Sequence, residues 1–180
     1  GYKTVGFGKW NIGHCNSRYL PHERGFDHYL GYLCPGHGYK DFICGMGAGV
    51  RDMIEGWAKT DATTGEVDYT WATGAQYLGT YDTELYRTKA AAAVRFHAKT
   101  YASDPNSVPL FMWAAQHGIH SEMDSEPIPP DTMLTVANKK YLDVLDRRLD
   151  PADDTEKQRF FKMRKITASV LMAVDNSLQS

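Results

Sequence analysis

The sequence predicts a mixed α/β fold, and three segments support this prediction. Val108–Ala115 is a continuous apolar run of strand length, as expected for a strand buried on both faces of a sheet. Apolar residues recur at spacings of three and four over Thr83–Tyr101, which indicates a helix, and they do so again near the end of the chain. Strands and helices in this arrangement pack as layers around one core.

The first half of the chain offers fewer regular elements. Thr4–Phe7 is predicted to be a short buried strand, ended by the glycine of Gly8-Lys9-Trp10. From Gly13 to about Asp82 the pattern has little sustained period, so we expect loops with one or two short strands around Val67–Trp71. Because so few strands are visible, we expect the central sheet to be completed by sequence outside these residues.

The second half is predicted to be mainly helical. Asp82 is a plausible N-cap for the helix over Thr83–Tyr101. One face of that helix carries Tyr86, Ala90, Ala93, Val94, His97 and Tyr101. A short helix is expected around Lys139–Arg148, and Asp153 with Glu156 resembles a capping box for a final helix. The predicted inner face of that last helix carries Phe160, Met163, Thr167, Val170, Val174 and Leu178.

Length and charge exclude several classes of protein. A chain of 180 residues suits one domain and can bury a real core. The net charge of −2 gives no general attraction to nucleic acid or to anionic membranes. Since no apolar run approaches the roughly 20 residues that span a bilayer, no transmembrane segment is predicted. The loop carboxylates lack the spacing of a calcium-binding loop and are interpreted as solvated: Asp41, Asp52, Asp61 and Asp68.

The cysteines form an odd set, Cys15, Cys34 and Cys44, without the C-x-x-C spacing of a zinc site. One disulfide with a leftover thiol fits a secreted protein. Three buried free thiols fit the sequence equally well, and both interpretations stay open.

Polar groups that follow the predicted strands are the candidates for chemistry. Lys9 comes directly after a strand, where its ammonium group can hold an oxyanion as a point charge. His117 and His120 follow the apolar run, at the carboxyl end of its strand, where ligand sites of α/β sheets form. Two histidines at this spacing are typical of a metal pair or a proton-donor pair, although either can instead be a packed side chain.

Several motifs in a fixed order resemble type I sulfatases of the arylsulfatase B-like kind. They are Gly1-Tyr2-Lys3-Thr4, Gly8-Lys9-Trp10-Asn11-Ile12-Gly13, Leu20-Pro21-His22-Glu23-Arg24-Gly25-Phe26-Asp27 and Gly31-Tyr32. The resemblance implies an alkaline-phosphatase-like α/β fold with a mixed sheet and flanking helices. The family's nucleophile motif, Cys-x-Pro-Ser-Arg, does not occur in the 180 residues. We therefore expect residues 1–180 to be part of a single catalytic domain whose nucleophile segment and metal-ligand segment lie outside them.

The resemblance implies a sulfuric ester hydrolase acting on aryl or carbohydrate sulfate esters, with a formylglycine nucleophile and Ca²⁺ held by residues outside this chain. By resemblance, Lys9 contacts the sulfate and the aldehyde-derived nucleophile, and His120 donates a proton to the leaving alcohol or contacts the sulfate. His117 and His14 are weaker candidates for substrate binding. Asn11 departs from the family, which has a proton-accepting His there; an amide can only form hydrogen bonds. The family also suggests a secreted or lysosomal-type compartment.

Two other functions remain as alternatives. A non-catalytic relative that binds sulfated glycans, or serves as a structural subunit, is favoured by Asn11. A phosphoryl-transfer member of the same superfamily would use a Ser or Thr nucleophile with zinc-type ligands, and the Gly8-Lys9-Trp10 motif argues against it.

Overall fold

The computed structural model contains a five-stranded mixed sheet with helices beside it, which confirms the predicted α/β fold. It describes residues 1–45, 49–61, 63–64, 67–101, 103, 108–120, 129–148 and 155–179. The strands are β1 (Lys3–Lys9), β2 (His28–Tyr32), β3 (Ile54–Thr60), β4 (Val67–Thr73) and β5 (Leu110–Ala115). The helices are α1 (Asp82–Tyr101), α2 (Val136–Asp146) and α3 (Glu156–Leu178). None of the described helices combines the length and the apolarity that a membrane span requires.

The sheet is built around β1, in the order β4-β3-β2-β1-β5. β1 runs parallel to both β2 and β5, with Phe7 opposite Leu30 on one side and Ala114 on the other. β3 and β4 then add antiparallel neighbours beside β2. The carboxyl ends of the three parallel strands therefore lie at one edge of the sheet, where ligand sites of such sheets form.

The segment between residues 13 and 82 is more regular than the sequence predicts. β4 confirms the strand expected around Val67–Trp71, but β2 and β3 were missed, and β1 continues through Gly8 to Lys9. Glycines break the apolar pattern of the missed strands for a packing reason. A side chain at Gly56 of β3 would lie 2.4 Å from the indole of Trp71. The sheet therefore has five strands within this chain, and not the few that we expected.

Within the described residues the apolar run packs on the core with one face only, and not with both faces as predicted. Its strand, β5, is the edge of the described sheet, and Phe111 and Trp113 are 47% and 48% exposed. Met112, which points to the other face, packs on the core. One face of β5 therefore lies against the core while its other face carries exposed aromatic side chains.

The main core lies between the sheet and α1. Its buried residues come from β1, β2, the loop between β2 and β3, and α1: Phe7, Leu30, Phe42, Met53, Leu85 and Tyr86. A second cluster joins the loops to α3: Tyr39, Tyr81, Met133, Val170 and Ala173. The first cluster therefore attaches α1 to the sheet, and the second packs α3 against the loops.

The helix boundaries differ from the predictions in detail. α2 begins at Val136, and Thr135 with Asn138 forms its capping box. α3 begins at Glu156, and Thr155 is its N-cap, accepting a hydrogen bond from the Gln158 amide. Asp153, the predicted cap, lies outside the described residues.

The predicted inner faces of two helices are confirmed in part. On α1, Tyr86 is buried and Ala90 and Ala93 pack on the core, but Val94 is 49% exposed. On α3, Val170 is buried as predicted, whereas Met163 and Leu178 are exposed. Ala173, which was not predicted, is also buried.

A buried carboxylate fastens β2, β3 and α1 together. Glu55, whose side chain is 4% exposed, accepts hydrogen bonds from His28 Nε2 and Lys89 Nζ, both at 3.2 Å, and from the Tyr77 hydroxyl. Burial alone would raise the pKa of Glu55, but these hydrogen bonds and the Lys89 charge lower it to about 2.

We expect Glu55→Gln to lower the free energy of unfolding at pH 7 by about 3 kcal/mol, because the folded-state pKa of Glu55 lies well below its unfolded value. A depressed carboxyl pKa contributes stability above the unfolded value, and that contribution is lost as the pH falls. The difference in the free energy of unfolding between the parent and Glu55→Gln should therefore shrink from pH 4.5 toward pH 2. Urea denaturation across this range measures it, with Glu84→Gln on α1 as the control. A difference that persists undiminished at the lowest pH would contradict the role of the charge.

Candidate functional site

The predicted site segments begin at the carboxyl ends of three neighbouring parallel strands. β1 ends at Lys9, which lies opposite Tyr32 at the end of β2. β5 ends at Ala115, opposite Gly8. The loops after β1, β2 and β5 therefore start side by side.

Two glycines make this close approach possible. Gly8 has a φ of 93°, and a side chain there would lie 1.9 Å from the Ala115 carbonyl oxygen. A side chain at Gly31 would lie 1.9 Å from the Gly8 carbonyl oxygen. The glycine before Lys9 is therefore required by the packing of β1 between its two parallel neighbours.

Trp10 fixes the chain just after Lys9. Its backbone N–H donates to the Tyr32 carbonyl and its indole N–H donates to the Tyr19 carbonyl, both at 2.8 Å. The ring is 6% exposed. Lys9 is half-buried between this anchor and the strand. Its position along the edge is thus set by buried neighbours on both sides.

Asn11 and His14 lie on the loop that follows. Asn11 is exposed and has a φ of 47°, a left-handed conformation that Asn adopts more readily than most residues. His14 is also exposed. Neither belongs to the buried histidine cluster described next.

Three buried side chains from different segments meet at one carboxylate oxygen. His117 Nδ1 lies 2.6 Å from Asp82 Oδ2, and His37 Nε2 lies 3.2 Å from the same atom. His37 and Asp82 are fully buried, and His117 is 3% exposed. The cluster therefore joins the loop after β2, the first turn of α1 and the loop after β5.

The two imidazoles differ in what their nitrogens face. His37 Nδ1 lies 3.0 Å from the Asp52 carbonyl oxygen, so both of its nitrogens face hydrogen-bond acceptors. His117 faces Asp82 with Nδ1. Its Nε2 atom is buried and has no hydrogen-bond partner among the described residues. The arrangement is a buried carboxylate between two buried imidazoles.

Burial and hydrogen bonding oppose each other in this cluster. Burial alone would raise the pKa of Asp82, but hydrogen bonds from His117 and His37 hold it below its usual value. Burial lowers the pKa of His117, against the effect of its bond to Asp82. Because folded His117 binds its proton less readily than the unfolded chain does, its contribution to stability is lost as the pH falls below 6.5.

His120 lies beside this cluster at the surface of the same loop. Its ring is 5.5 Å from that of His117, and its backbone N–H donates to the His117 carbonyl at 3.0 Å. Gly36 faces the His120 ring, where a side chain would approach to 2.8 Å. Tyr39 stacks on His117 at 4.1 Å and donates from its hydroxyl to the His120 carbonyl. The loop after β2 thus supports both histidines.

The structure revises several predictions about single residues. Asp82 was expected as an N-cap, but it lies inside α1, and the Tyr81 carbonyl accepts the first helical hydrogen bonds. Asp52 was expected to be solvated. Instead its Oδ2 accepts hydrogen bonds from the amides of Leu33 and Cys34, at 2.9 and 2.6 Å. His37 had no predicted role, because a single histidine between glycines carries no signal of its burial.

Two groups of described side chains have the donor types of a metal site, with donor atoms within 4.8 Å of one another: His37, Asp82 and His117, and Cys34, Cys44 and Asp52. In the first group, the hydrogen bonds above already account for the short distances. A cavity of about 520 Å³ lies elsewhere, next to Lys3 and Leu110 at the amino end of β1 and β5. It is therefore at the opposite edge from Lys9.

Comparisons with known proteins support the fold. No protein-family model matches the chain. Among solved structures, the crystal structure of Ps i-CgsB is similar, with a TM-score of 0.52 and 17% sequence identity over 99% of this chain and 32% of that one. The complex of Ps i-CgsB with k-i-k-neocarrahexaose gives a TM-score of 0.51 at the same identity and coverage. The chain thus spans about a third of the length of these neighbours, and at this identity the similarity establishes the fold alone.

We expect Asp82→Asn to lower the free energy of unfolding by about 3 kcal/mol at pH 7, because it removes the buried carboxylate that accepts hydrogen bonds from His37 and His117. The parent protein should lose this advantage as the pH falls through the lowered pKa of Asp82. Urea denaturation at neutral and acidic pH measures both effects. Asp68→Asn, at an exposed position of β4, is the control. Equal stability of the parent and Asp82→Asn at pH 7 would contradict this role of the Asp82 carboxylate.

Proposed function

We propose that residues 1–180 belong to the catalytic domain of a sulfuric ester hydrolase that acts on a sulfated carbohydrate. The observation that carries the proposal is the position of Lys9. The motif Gly8-Lys9-Trp10-Asn11-Ile12-Gly13 resembles the sulfatase family, and it sits at the carboxyl edge of the sheet, beside the loop that bears His120. A neighbour of the same fold was crystallised with neocarrahexaose, an oligosaccharide of the sulfated polysaccharide carrageenan.

The proposal places these residues within a larger domain. The chain aligns with about a third of the length of its structural neighbours. In addition, Phe111 and Trp113 of β5 are exposed on one face of the sheet. Apolar surface of this kind is usually buried by further protein. The nucleophile segment and the metal-ligand segment would be supplied by polypeptide outside residues 1–180.

The residues at this edge do not fit a calcium site by themselves. Ca²⁺ takes six to eight oxygen ligands. In the described cluster, Asp82 Oδ2 is already bonded to two imidazoles, and the other donors are nitrogens. We therefore propose that Ca²⁺ and the formylglycine are held elsewhere in the full protein. Formylglycine would supply a nucleophilic oxygen there, and the described residues would bind the sulfate and move protons.

Lys9 would bind a sulfate oxygen through its ammonium group. Charge on the sulfate oxygens shifts as the S–O bond to the alcohol breaks, and a fixed cation stabilises that state more than the free substrate. The half-buried position of Lys9, next to the anchored Trp10 ring, restricts where the ammonium can reach. Preorganisation of this kind lowers the cost of binding the transition state.

His120 would donate a proton to the alkoxide oxygen as the alcohol leaves. Its loop is supported from beneath by His117, Tyr39 and Gly36, so the imidazole has a defined position. His117 itself is buried and bonded to Asp82. We therefore assign His117 to positioning the loop and not to direct substrate contact, and we assign His14 no step.

We expect Lys9→Ala in the full-length protein to reduce kcat/KM for a sulfate ester at least about a hundredfold, as for loss of an oxyanion contact. Steady-state kinetics with a sulfated oligosaccharide measures it. Lys59→Ala, an exposed lysine on β3, is the matched control and should leave the rate unchanged. Parent-level activity in Lys9→Ala would remove Lys9 from the site.

Asn11 would form hydrogen bonds but accept no proton, because its amide does not titrate near neutral pH. The family residue at this position helps to regenerate the aldehyde after each cycle. We expect Asn11→His to raise the steady-state turnover rate while leaving the first turnover unchanged. Rapid-quench kinetics separates the two phases. An unaltered steady state would mean that another group already performs this step.

The alternative function is binding of a sulfated glycan without turnover, which the amide at Asn11 favours. Lys9 would then contribute to affinity alone. The two functions differ in one measurement, since only the hydrolase releases inorganic sulfate from a bound sulfated oligosaccharide.

A further inference from the structure

The loop after β2 folds back on itself and holds two cysteines close together. Its two halves pair through hydrogen bonds from the Gly38 amide to the Ile43 carbonyl and from the Gly45 amide to the Gly36 carbonyl. His37 and Cys44 form a bridge between the halves. Cys34 stands just before the first half. The backbone pairing therefore defines the separation of Cys34 and Cys44.

The two sulfur atoms and a carboxylate oxygen of Asp52 lie within 4.8 Å of one another. Cys34 is 6% exposed, and its thiol donates to the Gly36 carbonyl at 3.0 Å. Cys44 is half-buried and so more accessible. Cys15 is exposed on the loop after β1. The structure thus separates the three cysteines into one close pair and one exposed thiol.

We propose that Cys34 and Cys44 form a disulfide that closes the loop after β2, and that Cys15 is the unpaired thiol. The two thiols lose two protons and two electrons, and a small disulfide such as oxidised glutathione accepts them and is cleaved to two thiols. Cys44, as the accessible thiolate, attacks the small disulfide and releases one thiol. Cys34 then attacks the Cys44 sulfur and releases the second.

A metal ion explains the group less well than a disulfide. Among the described residues three donors converge, and Asp52 Oδ2 already accepts two backbone amides, from Leu33 and Cys34. Structural zinc sites use four ligands.

The cross-link would stiffen the support of the candidate site. The closed loop contains Gly36, His37 and Tyr39, which contact His120 and His117. A disulfide restricts the loop in the unfolded chain, so the loop loses less conformational entropy when the protein folds. Its effect on turnover rests on the proposed function, whereas the existence of the disulfide does not.

The decisive experiment is peptide mapping of the full-length natural protein, alkylated under denaturing conditions without reduction. We expect a linked Cys34–Cys44 peptide, lighter by about 2 Da than its two reduced peptides, and an alkylated Cys15. Alkylation of both Cys34 and Cys44, even after incubation with oxidised glutathione, would overturn the proposal. A disulfide to Cys15 would also overturn it, as would stoichiometric zinc that protects both thiols until a chelator is added.

Thermal unfolding and turnover then test the role of the cross-link. Reduction should lower the Tm of the parent protein by about 5–10 °C. Cys15→Ser should respond in the same way, whereas Cys34→Ser/Cys44→Ser should start at the lower Tm and show no response. An equal response of the double variant would overturn the assignment.

Reduction should also lower kcat if the loop positions His120. A mapped disulfide in a protein without sulfatase activity would leave this proposal standing and refute the proposed function.

Discussion

The carboxylate of Asp82 is the constraint on which the candidate site depends. It is fully buried and holds His37 and His117 through one oxygen atom, so a loop after β2, a helix and a loop after β5 share a single charge. A buried ion of this kind is tolerated only when its partners stay in place. That arrangement also positions His120, because the His120 ring packs beside His117 and Gly36.

The parallel strands supply the second part of the site. β1 lies between β2 and β5, and its end carries Lys9 to the same edge as the two loops. Strand order alone places Lys9 and the loop that bears His120 at the same end of the sheet. They are far apart in sequence, and no local pattern relates them.

The sequence predicted the fold class, the helix over Thr83–Tyr101 and the strand around Val67–Trp71, because apolar period is a local property. It missed β2 and β3, where glycines replace the apolar residues that mark a strand. It also treated Asp82 as a cap and gave His37 no role. Burial of a polar residue depends on partners from distant segments, which period and spacing do not record. The edge position of β5 follows from strand order, which the sequence did not predict. The exposure of Phe111 and Trp113 depends on what packs on their face of the sheet, which an apolar run does not record either.

The glycine contacts beside Lys9 restrict how this protein can diverge. Gly31 faces the Gly8 carbonyl, and Gly8 faces the Ala115 carbonyl, each with no room for a methyl group. A larger residue at either position collides with backbone, which no compensating side-chain change elsewhere can move aside. Homologous chains that keep three parallel strands at this spacing must therefore retain both glycines, whatever substrate they recognise. Gly36 and Gly118, on the loops after β2 and β5, face side chains and not backbone at close range, so substitution there can be accommodated by changes in the neighbouring side chains. Diversity of substrate recognition can therefore accumulate in these loops while the strand ends remain unchanged.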